Sequence, residues 1–244
     1  MSEPQVAATT AEYPSNVSDR LDRLVAEAQR TETYEQLLDV FDCLVADPYL
    51  TKTKGRLIEA RRNEGGYWDL CCTLAAYARL FRPRTYLEIG VRQGRSAAIV
   101  AAICPAASLY LFDMWHPDYA GVENPGPEFV RAQLRRVGHR GPVRIVSGRS
   151  QESVPALLCG ADAPGPFDLI TVDGDHRDEG ALADLNNVAS HLAPGGLIAF
   201  DDIAHPDYPT LYGAWSSFVR SRPELRVREN LAAGTGTAVA MRNL

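Results

Sequence analysis

The chain has 244 residues, a formal net charge of −6 and 45% hydrophobic residues, enough for one large domain with a real core. The acidic balance argues against a nucleic-acid binder, which needs a basic stripe. The longest apolar stretch, Ala97 to Phe112, is interrupted by Pro105 and Ser108 and is shorter than the roughly 20 residues of a membrane span. The first residues show neither the basic start nor the apolar run of a secretory signal, so a cytoplasmic location is expected. Cys43, Cys71, Cys72, Cys104 and Cys159 have no metal-like spacing and read as buried, reduced thiols. The only lysines are Lys52 and Lys54. Schiff-base chemistry and Walker-type phosphate binding both need a placed lysine, and neither is expected.

Residues 1–17 read as a flexible tail. From Ser18 to Ala46 apolar residues recur at helical spacing, predicting two helices broken around Thr31–Thr33. A basic, polar link follows, then Gly65-Gly66 and a third helix from Tyr67 to Leu80. Strands are then predicted at Thr85–Ile89, Ser108–Phe112, Val143–Val146, Phe167–Val172 and Leu197–Phe200. Helices at 96–103, 127–137, 153–158, 179–192 and 211–220 alternate with them or follow them. The alternation predicts an α/β fold with a mostly parallel sheet covered on both faces. Leu225–Glu229 and Thr237–Arg242, around Ala-Ala-Gly-Thr-Gly, predict an antiparallel hairpin at one edge.

Open α/β sheets bind ligands beyond the carboxyl ends of their strands. The first end reads Leu87-Glu88-Ile89-Gly90-Val91-Arg92-Gln93-Gly94-Arg95-Ser96. Gly90 and Gly94 allow a close backbone turn. Their spacing is not the Gly-x-Gly-x-x-Gly of a pyrophosphate cradle, and Glu88 would repel a diphosphate but suit a cation. These facts count against a nicotinamide oxidoreductase, the competing reading. Taken alone, the turn is equally an ordinary strand-to-helix connection. Asp113 ends the second strand, where an acid can take a ribose diol or simply be solvated. Gly148, Ser150 and Gln151 follow the third strand, where small and amide side chains can meet an adenine edge. The three ends together describe a pocket for an adenosine with a positively charged appendage.

At these residues the sequence, from about Gly66 to Arg242, resembles class I S-adenosylmethionine-dependent methyltransferases. LEIGVRQGRSA looks like their glycine motif, and Gly148-Arg149-Ser150-Gln151 is similar to the adenine-side segment of the catechol O-methyltransferase group. The resemblance implies a Rossmann-like, seven-stranded sheet over 66–244; the helical extension at 18–65, outside the resemblance, is expected to cover the site as a lid or to make a dimer contact. It also implies that the positions matching Glu88 and Gly90 line the methionine end, with Gly94 and Ser96 also expected at the cofactor. Asp113 would then take the ribose, and Gly148, Ser150 and Gln151 the adenine.

The fourth strand ends Val172-Asp173-Gly174-Asp175-His176 and the fifth Phe200-Asp201-Asp202-Ile203. If these strands are neighbours, Asp173, Asp201 and Asp202 share one cleft, where like charges raise pKa values unless a cation intervenes. Hard oxygen ligands suit Mg²⁺ or Ca²⁺. Alternatively, Asp201 and Asp202 cap a turn or the next helix. VDGDHRDEGALADL followed by HLAPGGLIAFDDI is similar to the macrocin O-methyltransferase and cephalosporin-hydroxylase-like branch, which includes natural-product sugar O-methyltransferases. In metal-dependent members the positions matching Asp173, Asp201 and Asp202 hold Mg²⁺. Catechol O-methyltransferase has asparagine where this chain has Asp202. The segment AHPDYPTLYGAWSSF departs from the branch.

Methyl transfer to a hydroxyl needs a base or a metal. His176 is the first candidate base, or otherwise a histidine that bonds backbone at a strand end; His205, after Asp202, is the second candidate. Asp173 is assigned both to the cofactor and to the catalytic centre. His139 and His191 read as structural, with His191 late in a helix. Trp115, His116 and Tyr119 could wall the pocket, although packing is the simpler reading of Trp115. Tyr67 and Trp68 could touch the cofactor, although helix core is simpler for both. The expected partner is a small hydroxyl- or diol-bearing acceptor, with no nucleic acid or membrane, in a homo-oligomer.

Overall fold

The computed structural model describes residues 16–63, 66–117, 121 and 123–244. The predicted site position Tyr119 and most of the predicted tail lie outside them. Four helices open the chain: α1 (Val17–Ala28), α2 (Thr31–Asp42), α3 (Pro48–Arg62) and α4 (Leu70–Phe81). β1 (Thr85–Ile89), α5 (Arg95–Ile103), β2 (Ser108–Asp113), α6 (Pro127–Arg136), β3 (Val143–Ser147), α7 (Ser150–Leu158), β4 (Phe167–Val172) and α8 (Asp178–Ala189) alternate after them. β5 (Leu192–Asp201), α9 (Leu211–Arg220), β6 (Leu225–Asn230) and β7 (Thr237–Arg242) complete the order.

The strands form one seven-stranded sheet in the order β3-β2-β1-β4-β5-β7-β6. β3, β2, β1, β4 and β5 pair in parallel. β7 is antiparallel to both β5 and β6. β6 therefore points the same way as β5, and β7 alone runs against the sheet. The expected α/β architecture is the one observed, with the hairpin's second strand inserted beside β5 and its first at the edge.

Side chains alternate across the sheet with period two, and each face has its own core. Tyr86, Leu109, Leu111, Leu169, Leu197 and Val239 pack with α1–α6. Leu87, Ile89, Phe112, Ile170, Val172, Ile198 and Phe200 pack with α7, α8 and α9. The N-terminal helices thus share the first core. In α1 the stripe is Val17, Leu21, Leu24 and Ala28, and in α2 it is Tyr34, Leu37, Val40 and Phe41. α4 is buried from Leu70 through Ala78. It runs between the extension and the sheet, and the Tyr77 hydroxyl donates to the Asp168 carbonyl at 2.7 Å.

Several expectations are corrected. The polar link is the fifteen-residue helix α3. Its apolar stripe is thin, Leu50, Leu57 and Ala60 with Thr53, and charge covers the rest. The start signal is instead Asp47, whose Oδ1 accepts the N–H groups of Tyr49 at 2.6 Å and Leu50 at 3.0 Å, ahead of Pro48 in the first turn. The break between α1 and α2 falls at Gln29–Arg30, and Thr33 lies inside α2, its hydroxyl donating back to the Glu27 carbonyl at 2.8 Å. Asp69, with its side chain on the Cys72 N–H at 3.0 Å, starts α4 three residues later than predicted. α8 ends at Ala189, so His191 lies past the helix, and β5 begins at Leu192. Pro194-Gly195-Gly196 passes through β5, and the β4–β5 register shifts between Phe167 and Leu169 to absorb it. Cys71, Cys72 and Cys104 are buried, but Cys43 and Cys159 are exposed; all five are free thiols.

Candidate active site

The carboxyl ends of β2, β1 and β4 are laced together. The Gly90 N–H donates to the Phe112 carbonyl at 2.9 Å, and the Asp173 N–H donates to the Ile89 carbonyl at 2.9 Å. Gly90, at φ +88°, sits so close that a Cβ there would lie 1.7 Å from the Asp173 carbonyl oxygen. Its missing side chain is thus required by β4. Gly94, at φ +78°, precedes α5, and a Cβ there would lie 3.0 Å from Val130. Both glycines serve packing within the protein, a tighter reason than the ligand approach expected from the sequence.

Beyond these ends opens a cavity of about 880 Å³. Gly90, Ser96, Asp113, Gly148, Ser150, Gln151, Asp173, His176, Asp201, Asp202 and His205 all line it. Glu88 and Gly94 do not. Glu88 is only 1% exposed, on the Tyr86 face of β1 beneath the glycine turn. Burial pushes its carboxyl up to about 8, against hydrogen bonding from Tyr86 and Ser96. Its Oε2 has no partner among the described residues.

Asp113 is oriented by backbone. Its Oδ2 accepts the Arg92 N–H at 2.7 Å and its Oδ1 the Trp115 N–H at 2.6 Å. Oδ1 also accepts the Asn124 amide Nδ2 at 3.5 Å, and Oδ2 retains a further lone pair for a ligand hydroxyl. Arg92, at φ 51°, and Trp115, at φ 54°, adopt left-handed backbone to make these bonds, strain of a kind that collects at ligand sites. The Trp115 indole packs on the first core and its Nε1 donates to Ser147 Oγ at 2.9 Å, whereas His116 reaches the cavity. Tyr67 and Trp68 stay off the cavity wall; Asp69, Leu70 and Cys71 take that place.

At the ends of β4 and β5 the acids and a histidine meet. His176 Nε2 lies 2.8 Å from Asp202 Oδ2 and 3.8 Å from Asp173 Oδ1. Asp173, His176 and Asp202 each offer a ligand atom within 4.8 Å of the others, a spacing that could hold a metal ion. Asp201 falls outside this group, and its Oδ1 accepts the Thr237 hydroxyl at 2.7 Å. Burial, then Asp202 and Asp201, raise the Asp173 carboxyl well above its ordinary range. Burial and Asp202 push Asp201 up to about 8. Burial acts on Asp202 the same way, but the hydrogen bonds from His176 and Thr235 outweigh it and hold Asp202 below its ordinary range. Asp202 has φ 63°, so the turn that aims it is strained.

Three groups that the sequence reading missed shape this centre. Arg95, at the start of α5, is a cation supplied by the chain itself. Burial disfavours its charge, but Cys71, Asp69, Asp173 and Asp201 outweigh burial and hold it protonated. Its Nη1 donates to Thr53 of α3 at 3.1 Å. Tyr208 stacks on His176 with ring centroids 4.6 Å apart and tilts over His205 at 4.9 Å. Asp184 of α8, fully buried, accepts from Ser150 Oγ at 2.9 Å and Gln151 Nε2 at 3.2 Å. Its signal was in the sequence: it occupies the stripe Ala181, Leu185 and Val188, where a carboxylate needs partners.

This strand order with one reversed strand is that of the class I methyltransferase fold. Residues 87–203 match the family model described as a methyltransferase domain. A curated relative, the 8-demethyl-8-alpha-L-rhamnosyl tetracenomycin-C 2'-O-methyltransferase of Streptomyces olivaceus, is 27% identical over 168 residues, 66% of this chain and 41% of that protein. The chain therefore spans about two-fifths of that relative's length. The O-methyltransferase TomG of Streptomyces achromogenes, solved with S-adenosylmethionine, shares the fold at TM-score 0.55 and 21% identity, covering 70% of this chain and 78% of that one. CalS11, a TDP-rhamnose 3'-O-methyltransferase, does so at TM-score 0.56 and 22% identity over 87% of this chain and 93% of that one. The resemblance to S-adenosylmethionine-dependent methyltransferases read from the glycine turn holds across these comparisons. Among the described residues no helix is long and apolar enough to cross a membrane.

Proposed function

We propose that the chain transfers the methyl group of S-adenosylmethionine to a hydroxyl of a small, sugar-bearing natural product. The observation that carries this reading is convergence: the glycine turn, Asp113, the Ser150–Gln151 pair and the Asp173–His176–Asp202 cluster all open on one cavity. The two relatives named for rhamnose O-methylation support the sugar acceptor.

The residues divide the work by charge. Asp113 takes the ribose hydroxyls, and Gly148, Ser150 and Gln151 meet the adenine. Ser96 and the turn at Gly90 hold the methionine end, with Glu88 supplying negative charge beneath it. The acceptor oxygen attacks the methyl carbon in line as the carbon–sulfur bond breaks. The hydroxyl proton passes to His176, with His205 behind Tyr208 as the second base. Asp202 orients the His176 ring and stabilises the imidazolium. Arg95 holds Asp173 and Asp201 in place without joining the reaction.

The donor set also fits a divalent cation, since two carboxylates and an imidazole stand at ligand spacing, and burial together with the Asp202 and Asp201 charges raises the Asp173 carboxyl. Asp173 and Asp202 would hold Mg²⁺, with His176 or Asp201 as the third ligand, and the ion would lower the pKa of a bound hydroxyl. The 2.8 Å His176–Asp202 bond favours a second reading, a carboxylate–imidazole base working without metal. Release of S-adenosylhomocysteine in the presence of deoxysugar glycosides, with and without EDTA, tests both. Abolition by EDTA supports the metal reading, and undiminished release supports the histidine base alone. No release from any hydroxyl acceptor, together with no binding of S-adenosylmethionine, sinks the proposal.

A further inference from the structure

Gln151 stands on the cavity wall in the first turn of α7, and its amide can face the ligand with either of two opposite chemistries. Turned one way it offers N–H donors; turned the other way it offers a carbonyl acceptor. The choice is made behind the wall. Asp184 is fully buried on α8 and lies off the cavity. Its Oδ1 faces Gln151 Nε2 at 3.2 Å and its Oδ2 faces Ser150 Oγ at 2.9 Å. The Asp175 backbone N–H also donates to it. A Cβ on Gly174 would lie 3.3 Å from Oδ2, so the carboxylate is enclosed by the β4–α8 turn as well. A carboxylate only accepts, and a buried one left without donors is costly. It therefore claims the NH₂ of Gln151 and the hydroxyl proton of Ser150.

We propose that Asp184 is a positioning residue that sets the base specificity of the cofactor site by fixing the Gln151 amide with its carbonyl toward the ligand. This inference rests on the reading that adenine lies at Ser150 and Gln151. An exposed carbonyl accepts from the 6-amino group of adenine. It meets the 6-oxo group of hypoxanthine as one acceptor facing another. Ser150, its proton committed to Asp184, likewise turns lone pairs outward. The buried acid distinguishes the two bases through the side chains it holds.

Calorimetric titration of the full chain tests this with two probes, S-adenosylhomocysteine and S-inosylhomocysteine, in alkaline buffer where Asp184 is ionised. The wild type should prefer the adenine compound by roughly tenfold to a hundredfold, the range expected when a buried polar contact is made or mismatched. Asp184→Asn can donate as well as accept, so it no longer dictates the amide orientation, and the preference should fall to within a few fold. Asp184→Glu, still an acceptor, should recover part of it. Gln151→Ala should lose the same preference, and the double variant should add nothing further. A merely structural Asp184 would weaken both probes equally and keep their ratio; that result overturns the proposal. If Asp184→Asn does not fold, Gln151→Ala decides: a wild-type ratio in that variant overturns the proposal too. If the wild type binds neither probe, the cofactor reading fails, and this inference fails with it.

Discussion

His176 Nε2 and Asp202 Oδ2 are 2.8 Å apart, and they come from the ends of two neighbouring strands, β4 and β5. Asp202 reaches that position only through left-handed backbone at φ 63°, so the contact is imposed by the turn. Tyr208 stacks against the other face of the ring at 4.6 Å. A histidine held on two sides in this way is suited to proton transfer, because its ring does not reorient between steps.

The first prediction follows from that pair. His176→Ala should lower kcat by about 10²- to 10⁴-fold, the ordinary range for removing a general base. Affinity for S-adenosylhomocysteine should stay within a few fold of wild type, since the proposed role of His176 is on the acceptor side. Asp202→Asn should lower kcat in the same direction, because the amide neither fixes the tautomer nor stabilises imidazolium. Single-turnover release of S-adenosylhomocysteine, alongside calorimetry, reads both quantities. A His176→Ala enzyme with full kcat would remove the histidine from the chemistry.

Glu88 gives the second. Its carboxyl sits near 8 in the folded chain, against 4.5 as the ordinary value. The folded state therefore keeps a proton that the unfolded chain has already lost across that window. By linkage, Glu88's contribution to stability is fully present below the lower value and is lost as pH rises through the upper one. Glu88→Gln keeps the shape without the titration, so its unfolding midpoint should decline less than wild type over the same pH rise. A cation above Glu88 also favours the carboxylate. Binding of S-adenosylmethionine near neutral pH should then release a proton, seen as a binding enthalpy that changes with buffer ionisation heat. S-adenosylhomocysteine, lacking the sulfonium, should release less. Equal release by both ligands would show that Glu88 does not respond to the sulfonium.

A third contrast separates two glycines that look alike in sequence. Both Gly90 and Gly148 have positive φ. A Cβ on Gly90 meets the Asp173 carbonyl at 1.7 Å, whereas one on Gly148 meets nothing within 4 Å. Gly148→Ala should cost only the backbone strain, about 1–3 kcal/mol. Gly90→Ala adds a collision with backbone that no rotamer relieves, and should cost more than about 3 kcal/mol or prevent folding. Urea unfolding of the two variants checks the order, and equal losses would mean that β1 and β4 separate easily.

These residues also show why the sequence disclosed some things and hid others. The strands at Thr85–Ile89 and Phe167–Val172 were legible because both faces of a central parallel strand are apolar. The acids at Asp113, Asp173, Asp201 and Asp202 were legible because each follows such a run. The hydroxyl partner of Asp201 was not, since it is Thr237, a residue 36 positions away that pairing with β7 brings alongside. Arg95 was hidden for the same reason: its neighbours Asp69, Cys71 and Thr53 belong to helices outside the alternating pattern. Glu88 was read correctly as an acid at a strand end, but the period-two face it shares with Tyr86 sends it under the turn. α3 was lost because a helix over one edge of a cavity can remain mostly polar, and periodicity then has little to register.

That helix supports the last prediction. Tyr49, Lys52, Thr53 and Arg56 of α3 line the cavity, and the Arg92 guanidinium lies 4.2 Å from the centre of the Tyr49 ring. α3 thus forms the wall over the glycine turn. Its start rests on Asp47, which satisfies two N–H groups that otherwise have no helical partner. Asp47→Ala should cost about 1 kcal/mol, the usual worth of such a cap. Leu57, fully buried in the same helix, should cost about 2–5 kcal/mol when cut to alanine. The two variants should differ in kind as well as size. Loss of the cap frays only the first turn, which carries Tyr49 and precedes Lys52, so KM for the methyl donor or acceptor should rise while the unfolding midpoint falls by only about 2–4 °C. Loss of Leu57 loosens the whole helix from α2, so the midpoint should fall together with activity. Steady-state kinetics beside thermal unfolding separates the outcomes. An Asp47→Ala enzyme with unchanged KM for both substrates would show that the first turn of α3 takes no part in holding either one.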